Sequence, residues 1–465
     1  MLKDLRRESG FYRYLIALTA PIALQHLITF SLGLIDTFMV SQLGNAEMAA
    51  VTAANVPVFL LLSLSFGVQG GLGILVSQYW GKKDMQNISR ALGVALFLGT
   101  GIVLVLAILF ALIPVQIMDL LSNEHELSIL GAPYLQLIGF SYVFTMISSV
   151  YISAQRSVEN PNFGMKVLAF STVLNTVLNF LLIYGKCGFP MMGIQGAALA
   201  TLLARVAEVV ICVIYAAKDK RMPLDLRAML RPGREMLRRF VKYASPVVVN
   251  EAIWGLGNSL LTVIIGYTTI SVEFLAAYAV TGNLGRLFLV VCFGLGAATA
   301  VVVGKAIGEG KSHDEIMSLS RCLIYFSVLV SAGIAIIALL LIPILFQPVI
   351  FPLFKLYGDT AKIAVALAVT AFAATPLHAN AVTTITGVLR AGGDSFWSAV
   401  LDVGPQWLVA LPLTAVFALF VDGGIHYWLI AIAIHFDGVV KIPLCYLRCR
   451  TDKWIHDVTL PEGRE

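Results

Sequence analysis

Charge is what this chain has least of. Asp, Glu, Lys and Arg together make up 13% of its 465 residues, against 58% hydrophobic residues, and the mean hydropathy is +0.87. A soluble domain of this length needs a charged exterior, so a water-exposed globule is excluded. Cysteine is sparse too. The six, Cys187, Cys212, Cys292, Cys322, Cys445 and Cys449, are scattered without metal-site spacing. Cys445 and Cys449 can share a helix face, but they lie near a basic end read as cytosolic and reducing. Motifs for nucleophilic triads, zinc, nucleotides or haem are absent, which leaves an enzyme little to stand on and calls for no cofactor. The glycines Gly67, Gly70, Gly71 and Gly73 form no phosphate loop, because no lysine–serine follows and no strand precedes them. With Gly294 and Gly296 they suit close helix packing.

What the chain has instead is long apolar runs. Twelve segments, near 14–40, 50–78, 91–115, 129–153, 163–185, 193–217, 240–266, 277–304, 319–346, 362–387, 396–420 and 427–447, can each cross about 30 Å of hydrocarbon. The first lacks a small-residue cleavage site and reads as a retained helix, not a signal peptide. The connections alternate in charge. The N-terminus and the loops after even-numbered segments carry 27 of the 32 basic residues, from Lys3, Arg6 and Arg7 through Arg156, Arg390 and Lys441 to Arg464. The opposite loops hold Lys186, Lys355 and Lys362, while Arg205 and Arg286 fall inside segments. This bias places both termini in the cytosol of a multi-pass inner-membrane protein. The net charge of +5 therefore reports topology, not nucleic-acid binding.

The chain also repeats itself. Pro21, Ala49-Ala50, Phe66-Gly67 and Gly81 recur as Pro246, Ala276-Ala277, Phe293-Gly294 and Gly308, at an offset of 225 and then 227 residues. Arg156 and Asn160 recur as Arg390 and Asp394 at offset 234. Two six-helix bundles follow, an N-lobe over 1–217 and a C-lobe over 240–465, joined by a basic linker at 218–239. Six is even, so the repeats are parallel, and polar sites are expected inside each lobe or between them. Duplication in so apolar a chain points to transport.

Ionisable groups inside such segments need a reason. Asp36, in Leu34-Ile35-Asp36-Thr37-Phe38-Met39, has no basic residue one turn away. It reads as a proton or cation acceptor or as a hydrogen-bond anchor to a neighbouring helix. Glu251, five residues after Pro246, occupies the place of His26 after Pro21. It reads as a coupling or cation-binding carboxylate, with His26 the weaker candidate. Arg205 with Glu208, and Asp437 with Lys441, are spaced to pair on one helix face. Arg286 and Asp402 must look to other helices. Asn175 and Asn179 stand one turn apart and either coordinate a cation or join helices. Asn283 and His378 are accessory polar candidates. Trp254, Tyr267, Phe288 and Phe293 suit flat cations or plain packing.

Leu34-Ile35-Asp36-Thr37-Phe38-Met39-Val40 with Leu43-Gly44 resembles the first-helix signature of multidrug and toxic compound extrusion (MATE) transporters. Gly81, Arg156, Gly193-Ile-Gln-Gly196-Ala-Ala-Leu-Ala-Thr201 and Leu389-Arg390-Ala-Gly-Gly-Asp394 extend the resemblance in order along the chain. It implies an all-α membrane protein of twelve helices in two lobes forming a V. Such a protein exports amphipathic organic cations in exchange for H⁺ or Na⁺, as a monomer in the bilayer. The implied cation site is Asp36, Asn175, Asn179 and Thr201, where Asn179 replaces an acid found in some members. Glu251 matches the seventh-helix glutamate of the NorM-like branch, whose tenth-helix acid is missing from Pro376-Leu-His378-Ala-Asn380. A lipid-linked oligosaccharide flippase of the wider superfamily is the alternative, and it predicts a more cationic cavity and often more helices.

Overall fold

The computed structural model describes residues 5, 7–121, 124–420 and 427–460. Lys3, Arg6 and Arg464 of the charge pattern lie outside the described residues. In hydrocarbon a chain must satisfy its own backbone, and helices do this within each segment. Eleven helices are long and apolar enough to cross a membrane, and a pair bent by 42° completes a twelfth span. In order they are α1 Ser9–Ser41, α2 Asn45–Gly81, α3 Met85–Leu112, α4 His125–Ser157, α5 Pro161–Tyr184 and α6 Gly193–Lys218. These are followed by α7 Arg234–Gly266, α8 Ser271–Gly308, α9 His313–Leu353, the bent α10 (Gly358–Ala373 with Thr375–Arg390), α11 Ser395–Phe420 and α12 Tyr427–Cys449. Among the described residues the single β-like feature is an isolated bridge between Gly393 and Ile455.

The chain divides into two compact units, Leu24–Val248 and Met1–Ala23 with Val249–Glu465. They are called here the N-terminal and C-terminal units. The divisions fall inside α1 and α7, two residues beyond Pro21 and Pro246, which are matching positions of the repeat.

The repeat is visible in backbone conformation as well as in residues. After α2, Lys83 turns left-handed at φ 58°, and after α8 Gly310 does so at φ 72°. The amides of Lys83 and Asp84 return to the carbonyls of Trp80 and Tyr79, and those of Gly310 and Lys311 to Ile307 and Ala306. After α4, Glu159 stands at φ 62°; after α10, Gly393 stands at φ 86°. The same turn is thus built twice, with glycine only in the second copy.

Within the N-terminal unit, the glycines of α2 admit the start of α7. A Cβ on Gly67 would lie 2.5 Å from the Cα of Val248, and one on Gly71 would lie 2.3 Å from the Cβ of Ala244. The basic segment after α6 is packed and not a bare tether. Asp219 accepts from Gln155 Nε2 at 2.6 Å, Asp225 caps a short helix, Leu226–Leu230, and the Met229 carbonyl sits where a Cβ on Gly93 would be. Helix α7 begins at Arg234, inside the stretch read as linker.

The C-terminal unit is built around two apolar clusters. One gathers Leu261, Phe274, Phe346, Phe351 and Phe372. The other gathers Leu15, Ile22, Val303, Leu323, Leu389 and Trp454. Its later helices are interrupted. Backbone bonding widens to the i→i+5 pattern at Ile342–Ile350, Thr383–Arg390 and Gln406–Ala410. Prolines 343, 348 and 405 accompany two of these stretches, each having no N–H to give the regular ladder. Beyond α12 the chain folds back on the turn after α10. Trp454 is fully buried against Gly392, whose carbonyl accepts from the His456 amide at 2.8 Å. Arg448 Nε donates to Asp394 at 2.7 Å beside this seam.

Candidate functional site

Helices α1, α5 and α6 bring Asp36, Asn175, Asn179 and Thr201 together in the N-terminal unit. Asn179 Nδ2 donates to Asp36 Oδ1 at 2.6 Å and to Asn175 Oδ1 at 3.0 Å. Asn175 Nδ2 donates to Thr201 Oγ1 at 3.2 Å. Turned over, the Asn175 amide instead presents its nitrogen to Asp36 Oδ1 at 2.9 Å and its oxygen to Thr201. The one-turn spacing of the two asparagines aims both amides at the carboxylate. Asp36, without a charged neighbour in sequence, therefore has neutral hydrogen-bond partners in space. Its nearest cationic influence is Arg205, which is itself paired with Glu208, and Glu208 also accepts from Ser148 Oγ at 2.9 Å. The buried Tyr134 of α4 lies within electrostatic range of Asp36 as well; nothing in the sequence around Tyr134 marks it as a neighbour.

A carboxylate ringed by amides and a hydroxyl offers only hard oxygen ligands and donors. Asn179 Oδ1 is buried with no hydrogen-bond partner among the described residues, an arrangement that suits a small monovalent cation. Asn175, which can turn either face to Asp36, suits a proton equally well: its N–H serves the ionised acid and its carbonyl the protonated one. Among the described residues no three His, Cys, Asp or Glu side chains are grouped to hold a metal ion.

The C-terminal unit holds a different arrangement. Glu251, expected as a coupling or cation-binding carboxylate, is ion-paired: Arg390 Nη1 donates to its Oε1 at 3.1 Å. The pair continues as a chain. Arg390 Nη2 stands 3.7 Å from Asp402 Oδ2, Lys441 Nζ stands 3.1 Å from Asp402 Oδ1, and the same Nζ stands 2.9 Å from Asp437. Asn250 Nδ2 donates to Asp402 at 3.0 Å. Asp402 thus finds the cross-helix partners it lacked in sequence. Arg390 and Lys441, counted among the basic loop residues, are buried within this network. The physical reason is that charges in so apolar a setting persist by neutralising one another.

The repeat relates this pair to the other unit. Glu251 and Arg390 correspond to His26 and Arg156, and Arg156 acts electrostatically on His26. Matching positions of the repeat thus carry a salt bridge in one copy and two basic side chains in the other. His378 does not join the Glu251 pair but packs against His435, with ring centroids 5.5 Å apart. Asn283 is exposed on α8 and joins neither group. Of the four aromatics, Phe288 packs into the core against Phe346 and Phe372, while Trp254, Tyr267 and Phe293 are exposed.

Comparison with known proteins agrees with this architecture. The MatE family model matches residues 21–181 and 246–416, one stretch in each repeat. The chain is 24% identical to the probable multidrug resistance protein YoeA of Bacillus subtilis (strain 168), over 88% of each chain. It is 23% identical to the probable multidrug resistance protein NorM of Pasteurella multocida (strain Pm70), over 86% of this chain and 84% of that one. A crystal structure of MATE in complex with MaL6 superposes with a TM-score of 0.85 at 19% identity, over 97% of this chain and 98% of that one. With most of both repeats matched, the chain belongs to the MatE family, the multidrug and toxic compound extrusion transporters.

Proposed function

We propose that this protein is a secondary active antiporter that exports amphipathic organic cations in exchange for H⁺ or Na⁺. The observation that carries the reading is Asp36, an intramembrane carboxylate held by Asn179 and Asn175 and not by a paired base. A family of multidrug exporters supplies the substrate class, and an acid with only neutral partners supplies a group that can take up and release a coupling ion. Filling that site favours one conformation and emptying it favours the other, so ion and drug need not meet to be exchanged.

Glu251 is assigned a weaker part in coupling, because Arg390 already neutralises it. The flippase alternative is disfavoured, since no more than twelve spans are found among the described residues. The basic bias of alternate loops supports cytosolic termini in an inner membrane, and the protein is read as working as a monomer.

The test is exchange in proteoliposomes under an imposed pH gradient or an imposed Na⁺ gradient. The gradient that drives uptake of a fluorescent organic cation identifies the coupling ion, and Asp36→Asn should lower the exchange by about 100-fold. Undiminished exchange in that variant would sink the assignment.

A further inference from the structure

We propose that His378 and His435 together form a proton site of the C-terminal unit, placed where two membrane helices are both interrupted. The two rings meet edge to face, with centroids 5.5 Å apart and planes at 76°. His378 lies one turn past the break at Ala374, where α10 bends by 42°. His435 is itself the interruption of α12, the non-helical residue between Tyr427–Ile434 and Phe436–Cys449. The two helices are packed tightly beside the pair, since a Cβ on Gly438 would stand 3.2 Å from that of Leu377.

The chemistry of the site follows from its hydrogen bonds. His378 Nδ1 stands 3.2 Å from the Ala374 carbonyl. A carbonyl can only accept, so Nδ1 carries the hydrogen and Nε2 keeps its lone pair. The ring of His435 has no hydrogen-bond partner among the described residues. Two imidazoles this close do not both charge, so the pair takes up and releases a single proton.

The surroundings specify a single positive charge. Asp437 of α12, two residues beyond His435, lies within electrostatic range of both rings and is held by Lys441, which also holds Asp402 of α11. Arg390 then links Asp402 to Glu251 of α7. This connected group has three carboxylates, Glu251, Asp402 and Asp437, against two bases, Arg390 and Lys441. One imidazolium brings it to neutrality. The helices packed alongside present hydroxyls near α10, with Ser327 of α9 bonding Thr383 and Thr299 of α8 against Gly387.

The site deepens the antiport reading and rests on it only for its use in transport. The experiment is NMR of the ring nitrogens of ¹⁵N-histidine-labelled protein in lipid nanodiscs between pH 5 and 8.5. The pair is assigned in the unmutated protein by the cross-peak that two touching rings produce. One shared protonation step is expected across both rings. His435→Gln should abolish the shared step, and Asp437→Asn should lower the midpoint of the pair. Two rings that stay neutral throughout, two independent titrations, or a midpoint indifferent to Asp437→Asn would each overturn the proposal. The unmutated protein decides the first two outcomes should a variant fail to fold. Exchange is read separately. A silent pair in a protein that exchanges drug for ions overturns this site alone, and a titrating pair in a protein that exchanges nothing overturns the antiport reading alone.

Discussion

The two units answer the same problem, charge in an apolar solvent, in opposite ways. In the N-terminal unit α2 to α6 run regularly, and the key acid, Asp36, is held by neutral amides. In the C-terminal unit α9 to α12 are broken or widened at five places, and Glu251, Asp402 and Asp437 are tied to Arg390 and Lys441. An acid among neutral dipoles can change charge at modest cost. An acid inside an ion-pair chain changes charge only by disturbing every partner. Duplication therefore gave two scaffolds that differ in how charge is placed within them.

The comparison can be broken most forcefully at Arg390. Arg390→Leu leaves two half-buried carboxylates without their shared, buried guanidinium and should cost about 3 kcal/mol, seen as a large drop in thermal midpoint. Its repeat equivalent Arg156 bonds Ser153, acts electrostatically on His26, and has no acidic partner among the described residues, so Arg156→Leu should cost only about 1 kcal/mol. Equal losses would erase the distinction between the copies. Next in size, Asp36→Asn should lower coupled exchange by about 100-fold, at the upper end of what a coupling energy supplies. Glu251→Gln should lower it far less, and a reversal of that order in proteoliposomes would move coupling to the C-terminal unit.

Smaller effects probe the scaffold. Gly71→Ala puts a methyl 2.3 Å from the Cβ of Ala244, though the matching residue of the second copy is already alanine, the buried Ala298. A loss of about 1–3 kcal/mol is expected, whereas Gly101→Ala, with nothing within 4 Å, should be neutral or slightly stabilising by the same thermal assay. Least of all, Lys83→Gly should relieve the left-handed turn and stabilise by about 1 kcal/mol, while Gly310→Ala imposes the same strain on the other copy.

Much of this was legible in the residues. Twelve apolar runs gave twelve spans because hydrocarbon leaves the backbone few alternatives. The one-turn spacing of Asn175 and Asn179 already pointed both amides one way. The Arg205–Glu208 and Asp437–Lys441 pairs form as their spacing implied. The Glu251–Arg390 pair was not read, because 139 residues separate its members. The signal was nonetheless present: each residue had a repeat partner, and His26 and Arg156 are neighbours too. The bend in α10 was hidden for another reason. Pro21, Pro57, Pro133 and Pro246 all sit inside unbroken helices, so Pro376 alone could not announce a break.

The chain beyond α12 has a consequence for biosynthesis. Trp454 and His456 close over Gly392 and Gly393, residues made some sixty positions earlier. A polypeptide halted after Cys449 would own every helix and still leave that glycine pair bare. Its membrane insertion could be complete while its folding was not. Quality-control proteases that sample exposed turns would find such a chain there, so a stop codon after Cys449 should be read in the cell as low abundance, not as a faulty pump.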